Sequence, residues 1–129
     1  MLQQLEKGGG IMRGIKIDPV GKTIAEVDVK SPNSSLKGLY EIIGCRLVEL
    51  VQLDHDIVLI CDEEGKLKKV EGAFTFPGSG LVIAGAAVVL GGNGSRFKAL
   101  HEDIEIFEKI VEWVDPSDVP EPFIRFEAF

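Results

Sequence analysis

The chain is poor in cysteine and in positive charge, and it lacks long apolar runs; each shortage excludes a class of protein. Two cysteines in 129 residues, Cys45 and Cys61, cannot build the disulfide framework of a small secreted domain. Each lies in or beside an apolar run, where a thiol behaves as a small hydrophobe. Both are expected to be reduced, in a cytoplasmic protein. Fourteen Lys and Arg stand against 21 Asp and Glu, a formal net charge of -7. Direct nucleic-acid binding is not expected, because a phosphate backbone calls for a basic patch. Anionic membrane surfaces are disfavoured on the same ground. The apolar run Leu81–Leu90 falls well short of the ~20 residues that a bilayer-spanning helix needs. Met1-Leu-Gln-Gln-Leu-Glu-Lys7 lacks the basic start and apolar segment of a secretory signal.

Motifs for chemistry are missing as well. There is no Gly-x-Ser-x-Gly elbow and no Cys-x-x-Cys pair. Cys45, His55 and His101 are the raw material for a thiol nucleophile and base. Cys45 follows a predicted helix C-terminus, whose negative end raises a thiol pKa, and Cys61 closes an apolar run. No catalytic residue is assigned. Asp54-His55-Asp56 and Asp62-Glu63-Glu64 lie at opposite ends of one short predicted strand, Ile57–Cys61. Metal ligands must converge on one point, so neither a metal nor a cofactor is assigned.

What is present reads as one α+β domain. The apolar fraction is 45% and the charged fraction 27%, ordinary for a folded protein. Residues 1–12, with Gly8-Gly9-Gly10, read as a flexible leader; 13–119 form the domain and 120–129 an aromatic tail. Arg13–Asp18 and Lys22–Val29 alternate around Pro19-Val-Gly21 and predict a hairpin. Pro32-Asn-Ser-Ser35 supplies helix-start chemistry, Leu36, Leu39, Tyr40 and Ile43 one apolar helical face, and Gly44 a stop. Arg46–Leu53 and Ile57–Cys61 predict two strands, and Lys66–Phe76 a further short one. Leu81–Leu90, apolar on both faces, predicts a single buried strand followed by a glycine-rich turn, Gly91–Ser95. A second helix is expected from about Glu102 to Val114, with Ile104, Phe107, Val111 and Val114 inward. The expected order is β-β-α-β-β-β-β-α plus an extended tail, a mixed and largely antiparallel sheet with two helices.

With these elements in place, the chain resembles the family catalogued as domain of unknown function 3846. The resemblance rests on Leu36-Lys-Gly-Leu-Tyr-Glu-Ile-Ile-Gly44 and the strand after it, and on Cys61-Asp-Glu-Glu-Gly-Lys-Leu67. Ile83-Ala-Gly85, Val88-Val89 and Phe97-Lys-Ala-Leu100 before an acidic helix complete it. It covers roughly residues 13–112. Phe74-Thr-Phe-Pro77 departs from a more polar loop, and His101 from a Ser or Thr cap. The resemblance implies an accessory protein of bacteriophages, plasmids or other mobile elements, acting in the bacterial host cytoplasm.

Three functional readings follow. The first is a non-enzymatic binding protein that modulates or counteracts a host protein or defence system. It would use the acidic helix residues Glu105, Glu108 and Glu112, or the tail aromatics Phe123, Phe126 and Phe129. Packing of the tail on its own core is the first reading of these aromatics, and a homo-oligomer by exchange with a second subunit is the next. The second reading is a sequestrant of a small nucleotide signal. Its phosphate would meet Gly92, Asn93, Gly94, Ser95 and Arg96, although this loop matches neither standard phosphate-binding glycine motif. The third, a small enzyme, has the least behind it.

Overall fold

A computed structural model describes residues 10–120 of the chain. Strands β1 (Ile11–Asp18) and β2 (Thr23–Lys30) form the expected hairpin, paired over all eight residues of each. Asp18 sets the turn: its carboxylate accepts hydrogen bonds from the amides of Val20 at 3.0 Å and Gly21 at 3.4 Å. Helix α1 spans Lys37–Ile43. The Ser35 hydroxyl accepts from the Lys37 amide at 3.1 Å and so satisfies one orphan donor of the first turn. Gly44 ends the helix in the left-handed region, φ 81°, and its amide donates to the Tyr40 carbonyl.

Strands β3 (Val48–Asp54) and β4 (Ile57–Asp62) form a second hairpin with a bulge between Gln52 and Asp54. Strand β5 is Ala73–Thr75, β6 is Val82–Ala84, β7 is Ala87–Asn93 and β8 is Arg96–Lys98. Helix α2, Ile104–Ile110, and strand β9, Glu112–Val114, follow. The large sheet runs β2-β1-β7-β4-β3, with β8 on the end of β7, and the small sheet runs β6-β5-β9. Every strand pair is antiparallel.

Strands β4 and β7 are buried on both faces, and their alternation divides the core in two. Val58, Ile60, Val88 and Leu90 point to one side, with Leu39 and Ile43 of α1. Leu59, Cys61, Ala87 and Val89 point to the other, with Phe74 of β5, Ile83 of β6 and Phe107 of α2. The result is three layers: α1, the large sheet, and the small sheet with α2. Complete burial of an aliphatic side chain here is worth about 1.5–3 kcal/mol, an upper bound against an extended chain.

Three expectations need correction. Leu81–Leu90 is two strands, not one. Gly85 has φ 91°, which β-branched residues rarely adopt, and there the chain leaves the small sheet for the large one. Lys66–Phe76 is mostly not a strand: Gly65–Leu67 make a 3₁₀ turn and only Ala73–Thr75 pair. The second helix stops at Ile110. Beyond it Val111 and Trp113 pack inward while Glu112 faces out, a period of two that suits pairing with β5. Val111 satisfies both periods, which is why the helical pattern ran on in the sequence. The element order therefore has six strands between the helices and a ninth after α2, while the α+β class and two helices stand.

Candidate interaction surface

Residues 102–118 hold seven acids, Glu102, Asp103, Glu105, Glu108, Glu112, Asp115 and Asp118, against one base, Lys109. This segment thus carries six of the seven net negative charges of the chain. Its acids are exposed, apart from the half-buried Glu102. Glu105 and Glu108 share one flank of α2, three residues apart. Glu112 is not on the helix but on β9, opposite Thr75, so the three expected site residues lie on two consecutive elements rather than on one helical face. On the other flank of α2, Ile106 and Ile110 are 46% and 40% exposed. The segment therefore offers an apolar pair bordered by carboxylates. Asp103, not His101, stands at the start of α2.

Arg13 fastens this segment to the large sheet. Its guanidinium donates to the carbonyls of Leu100 at 2.8 Å and Glu102 at 2.9 Å and pairs with Glu26 at 3.0 Å. Nothing in the sequence pattern marked Arg13 as a clamp, because the two carbonyls it holds lie more than 80 residues away.

The glycine-rich loop is a tight hairpin. Gly91 and Gly92 belong to β7 and pair with Lys98 and Phe97, leaving Gly94-Ser95 as the turn. Its amides are already used. The Asn93 carboxamide oxygen accepts from the amides of Ser95 at 2.9 Å and Arg96 at 3.2 Å, and the Gly92 amide donates to the Asp56 carbonyl. A Cβ on Gly92 would lie 2.2 Å from the Arg96 carbonyl oxygen, so this glycine serves hairpin packing. Gly92, Asn93, Gly94, Ser95 and Arg96 are adjacent, but at least three of their amides point at protein acceptors.

A different concave region gathers the lysines. A cleft of about 350 Å³ is lined by Lys16, Lys68 and Lys69, with Asp18, Asp62 and Glu71 among them. Lys68 and Asp62 pair at 2.6 Å, and Asp18 is held by its turn amides. Gly65 and Gly72 form close-packed walls: a Cβ on either would fall within 2.7 Å of backbone atoms of Ala84 or Pro19. The run Lys66-Leu-Lys-Lys69 was the available sequence signal for this cleft.

The thiols and histidines do not assemble. Cys61 is buried, and desolvation pushes its thiol up to about 12; desolvation also raises Cys45. His55 lies in the β3–β4 turn against Asp54, and His101 is exposed. Asp54-His55-Asp56 and Asp62-Glu63-Glu64 flank β4 at its two ends, and no cluster suited to a metal occurs among the described residues. Phe123, Phe126 and Phe129 lie outside the described residues. No helix among those described is long and apolar enough to cross a membrane.

Fold and surface define an antiparallel α+β protein with three layers and an acidic C-terminal segment. A family model described as Domain of unknown function (DUF3846) matches residues 12–113, and the chain belongs to that family. No curated protein and no solved structure matches the chain.

Proposed function

We propose that the chain is a non-enzymatic binding protein of a bacteriophage or other mobile element, which engages a host protein in the bacterial cytoplasm and so modulates or counteracts it. The observation that carries this reading is the concentration of six of the seven net negative charges in residues 102–118, around the exposed Ile106 and Ile110. An exposed apolar pair beside a flank of carboxylates suits a basic protein surface with an adjoining apolar contact. Family membership supports the mobile-element setting.

The test is salt-dependent capture of a host partner by the full chain. Reversing Glu105, Glu108 and Glu112 to Lys is expected to abolish capture while the melting temperature holds. Arg96→Ala is expected to leave it intact. If Arg96→Ala abolishes capture and the triple reversal does not, the reading fails.

A second reading, sequestration of a small nucleotide, has one observation in its favour: the cleft bearing Lys16, Lys68 and Lys69. At the competing Gly92–Arg96 hairpin, at least three amides already serve protein acceptors. Lys16→Glu with Lys69→Glu should then remove any copurifying nucleotide, with the acidic segment dispensable.

A further inference from the structure

Among the described residues, strand β3 is one edge of the six-stranded sheet. A free edge strand is a row of unpaired amides and carbonyls, normally protected by charge, shortness or cover. The other long edge and the short ones have such protection, the three-residue β8 by its length. β2 carries Glu26, Asp28 and Lys30 and lies against α2. β6 and β9, the edges of the small sheet, have three residues each. β3 has seven, Val-Glu-Leu-Val-Gln-Leu-Asp, with one charge before its final Asp54. Leu50 on this strand is 37% exposed, and Leu47 just before it 43%.

The backbone direction is fixed by one hydrogen bond. The Leu47 carbonyl accepts from the Glu63 amide at 3.0 Å, so Leu47 turns its backbone toward the β4 side. By strand alternation Glu49 and Val51 do the same, and Val48, Leu50 and Gln52 direct their amides and carbonyls outward.

We propose that this edge pairs antiparallel with β3 of a second copy of the chain, with Leu50 on the two-fold axis. Only residues with outward backbone can exchange both bonds across the axis, and Leu50 is the central one. In this register Val48 faces Gln52 of the second copy and Leu50 faces Leu50, while Leu47 meets the bulge at Leu53. Past Gln52 the bulge shifts the register by one residue, so Arg46, just before the strand, comes beside the end of the second copy's β3 that carries Asp54, and symmetry repeats this approach at the other end. Charge complementarity thus selects the occupant. Moving the axis to Glu49 would set two carboxylates directly opposite each other, and moving it to Val51 would trade the leucine pair for Leu50 against Gln52. The two large sheets would become one, with Val51 and Leu53 of both copies continuing the same core face.

Sedimentation of the full chain over a concentration series should give a monomer–dimer equilibrium. Leu50→Lys, which sets two ammonium groups on the axis, should leave only monomer with an unchanged far-ultraviolet spectrum. A second measurement covers the case in which that variant fails to fold. In a Cys45→Ser background, Leu50→Cys should cross-link to a covalent dimer on mild oxidation, since directly opposed residues lie at disulfide distance. Ile106→Cys, exposed on α2, should not. Asp54→Arg should weaken the dimer at least tenfold, and adding Arg46→Asp should restore it. The proposal is overturned by a monomer at every concentration, by absence of the Leu50→Cys cross-link, or by a dimer that survives Leu50→Lys and is lost on deleting residues 120–129.

Discussion

The two sheets of this protein are built differently. Apart from the three-residue β8, strands of the large sheet have six to eight residues. Three of its five strand pairs, β1–β2, β3–β4 and β7–β8, are hairpins of consecutive strands, and the central β7 joins them by pairing with β1 and β4. The small sheet takes three residues each from 73–75, 82–84 and 112–114, and β9 pairs with β5 across almost 40 residues of chain. The large sheet is organised by local periodicity. The small sheet exists because Phe74, Ile83 and Trp113 have a large apolar face to cover. One is a scaffold; the other is a cap, and the acidic surface runs along the cap's side.

The largest expected effect tests whether that cap is integral. Phe74 is fully buried and meets Phe76 edge-on, with centroids 5.7 Å apart and an interplanar angle of 84°. Phe74→Ala should cost about 3–5 kcal/mol, as much as a central-strand truncation such as Leu59→Ala at about 2–5 kcal/mol. Both should lower one cooperative denaturation midpoint. If Phe74→Ala instead leaves the main transition in place and creates a separate early one, the small sheet is a peripheral flap.

The same division governs what could be read from the residues. The first hairpin, α1 with its Gly44 stop, and β3–β4 follow patterns contained within a dozen residues, and all were legible. β7 was legible as doubly buried because its run is apolar without alternation. Most failures fall on the cap; in the large sheet the expected turn Gly91–Ser95 is strand as far as Asn93, and the short β8 was not foreseen. Three-residue strands carry too few side chains for a period, and Val111 fits helix and strand alike. Gly85 separates two sheets, but in the sequence it is one small residue inside an apolar run. The acidic segment was legible as charge, yet its division between helix and strand depends on β5, which is distant in sequence. The lysine cleft and the Arg13 clamp are products of topology.

Arg13 is the next way to probe the boundary between the regions. Its charged hydrogen bonds to Leu100 and Glu102 tether the start of the acidic segment. Arg13→Ala should lose about 1.5–3 kcal/mol, the range for hydrogen bonds to charged groups. Arg13→Lys should recover only part, because an ammonium cannot fork to both carbonyls and Glu26. Amide exchange should quicken in α2 before it quickens in β4. Equal acceleration in both elements would place the clamp within one undivided unit.

Cys61 reports on the seam between the layers through pH. Burial raises its thiol from 9.0 to about 12 in the folded state. The native state therefore holds a proton that the unfolded chain releases above about pH 9. This contribution is complete below pH 9 and lost as pH rises toward 12, at about 1.4 kcal/mol per pH unit. Cys61→Ala should remove that slope while leaving stability below pH 9 independent of it. Urea midpoints of both proteins between pH 8 and 11 measure the difference. Parallel curves would mean that the thiol reaches solvent in the folded protein.

The smallest effect on folding is expected where association is at stake. Arg46 pairs with Glu64 at 3.2 Å, but its side chain is 81% exposed. Glu64 raises the Arg46 pKa, yet a pair so open to solvent and salt adds little to folding. Arg46→Ala should therefore leave the melting temperature close to that of the parent protein, with any small loss vanishing at high salt. The same residue flanks the edge strand β3, where in the proposed dimer it comes beside a second copy's Asp54. There the substitution removes two symmetry-related ion pairs at once, so it should shift the dimer equilibrium far more than the melt. A variant that unfolds earlier without changing its sedimentation would reverse that order, making Arg46 a residue of the fold and not of the edge.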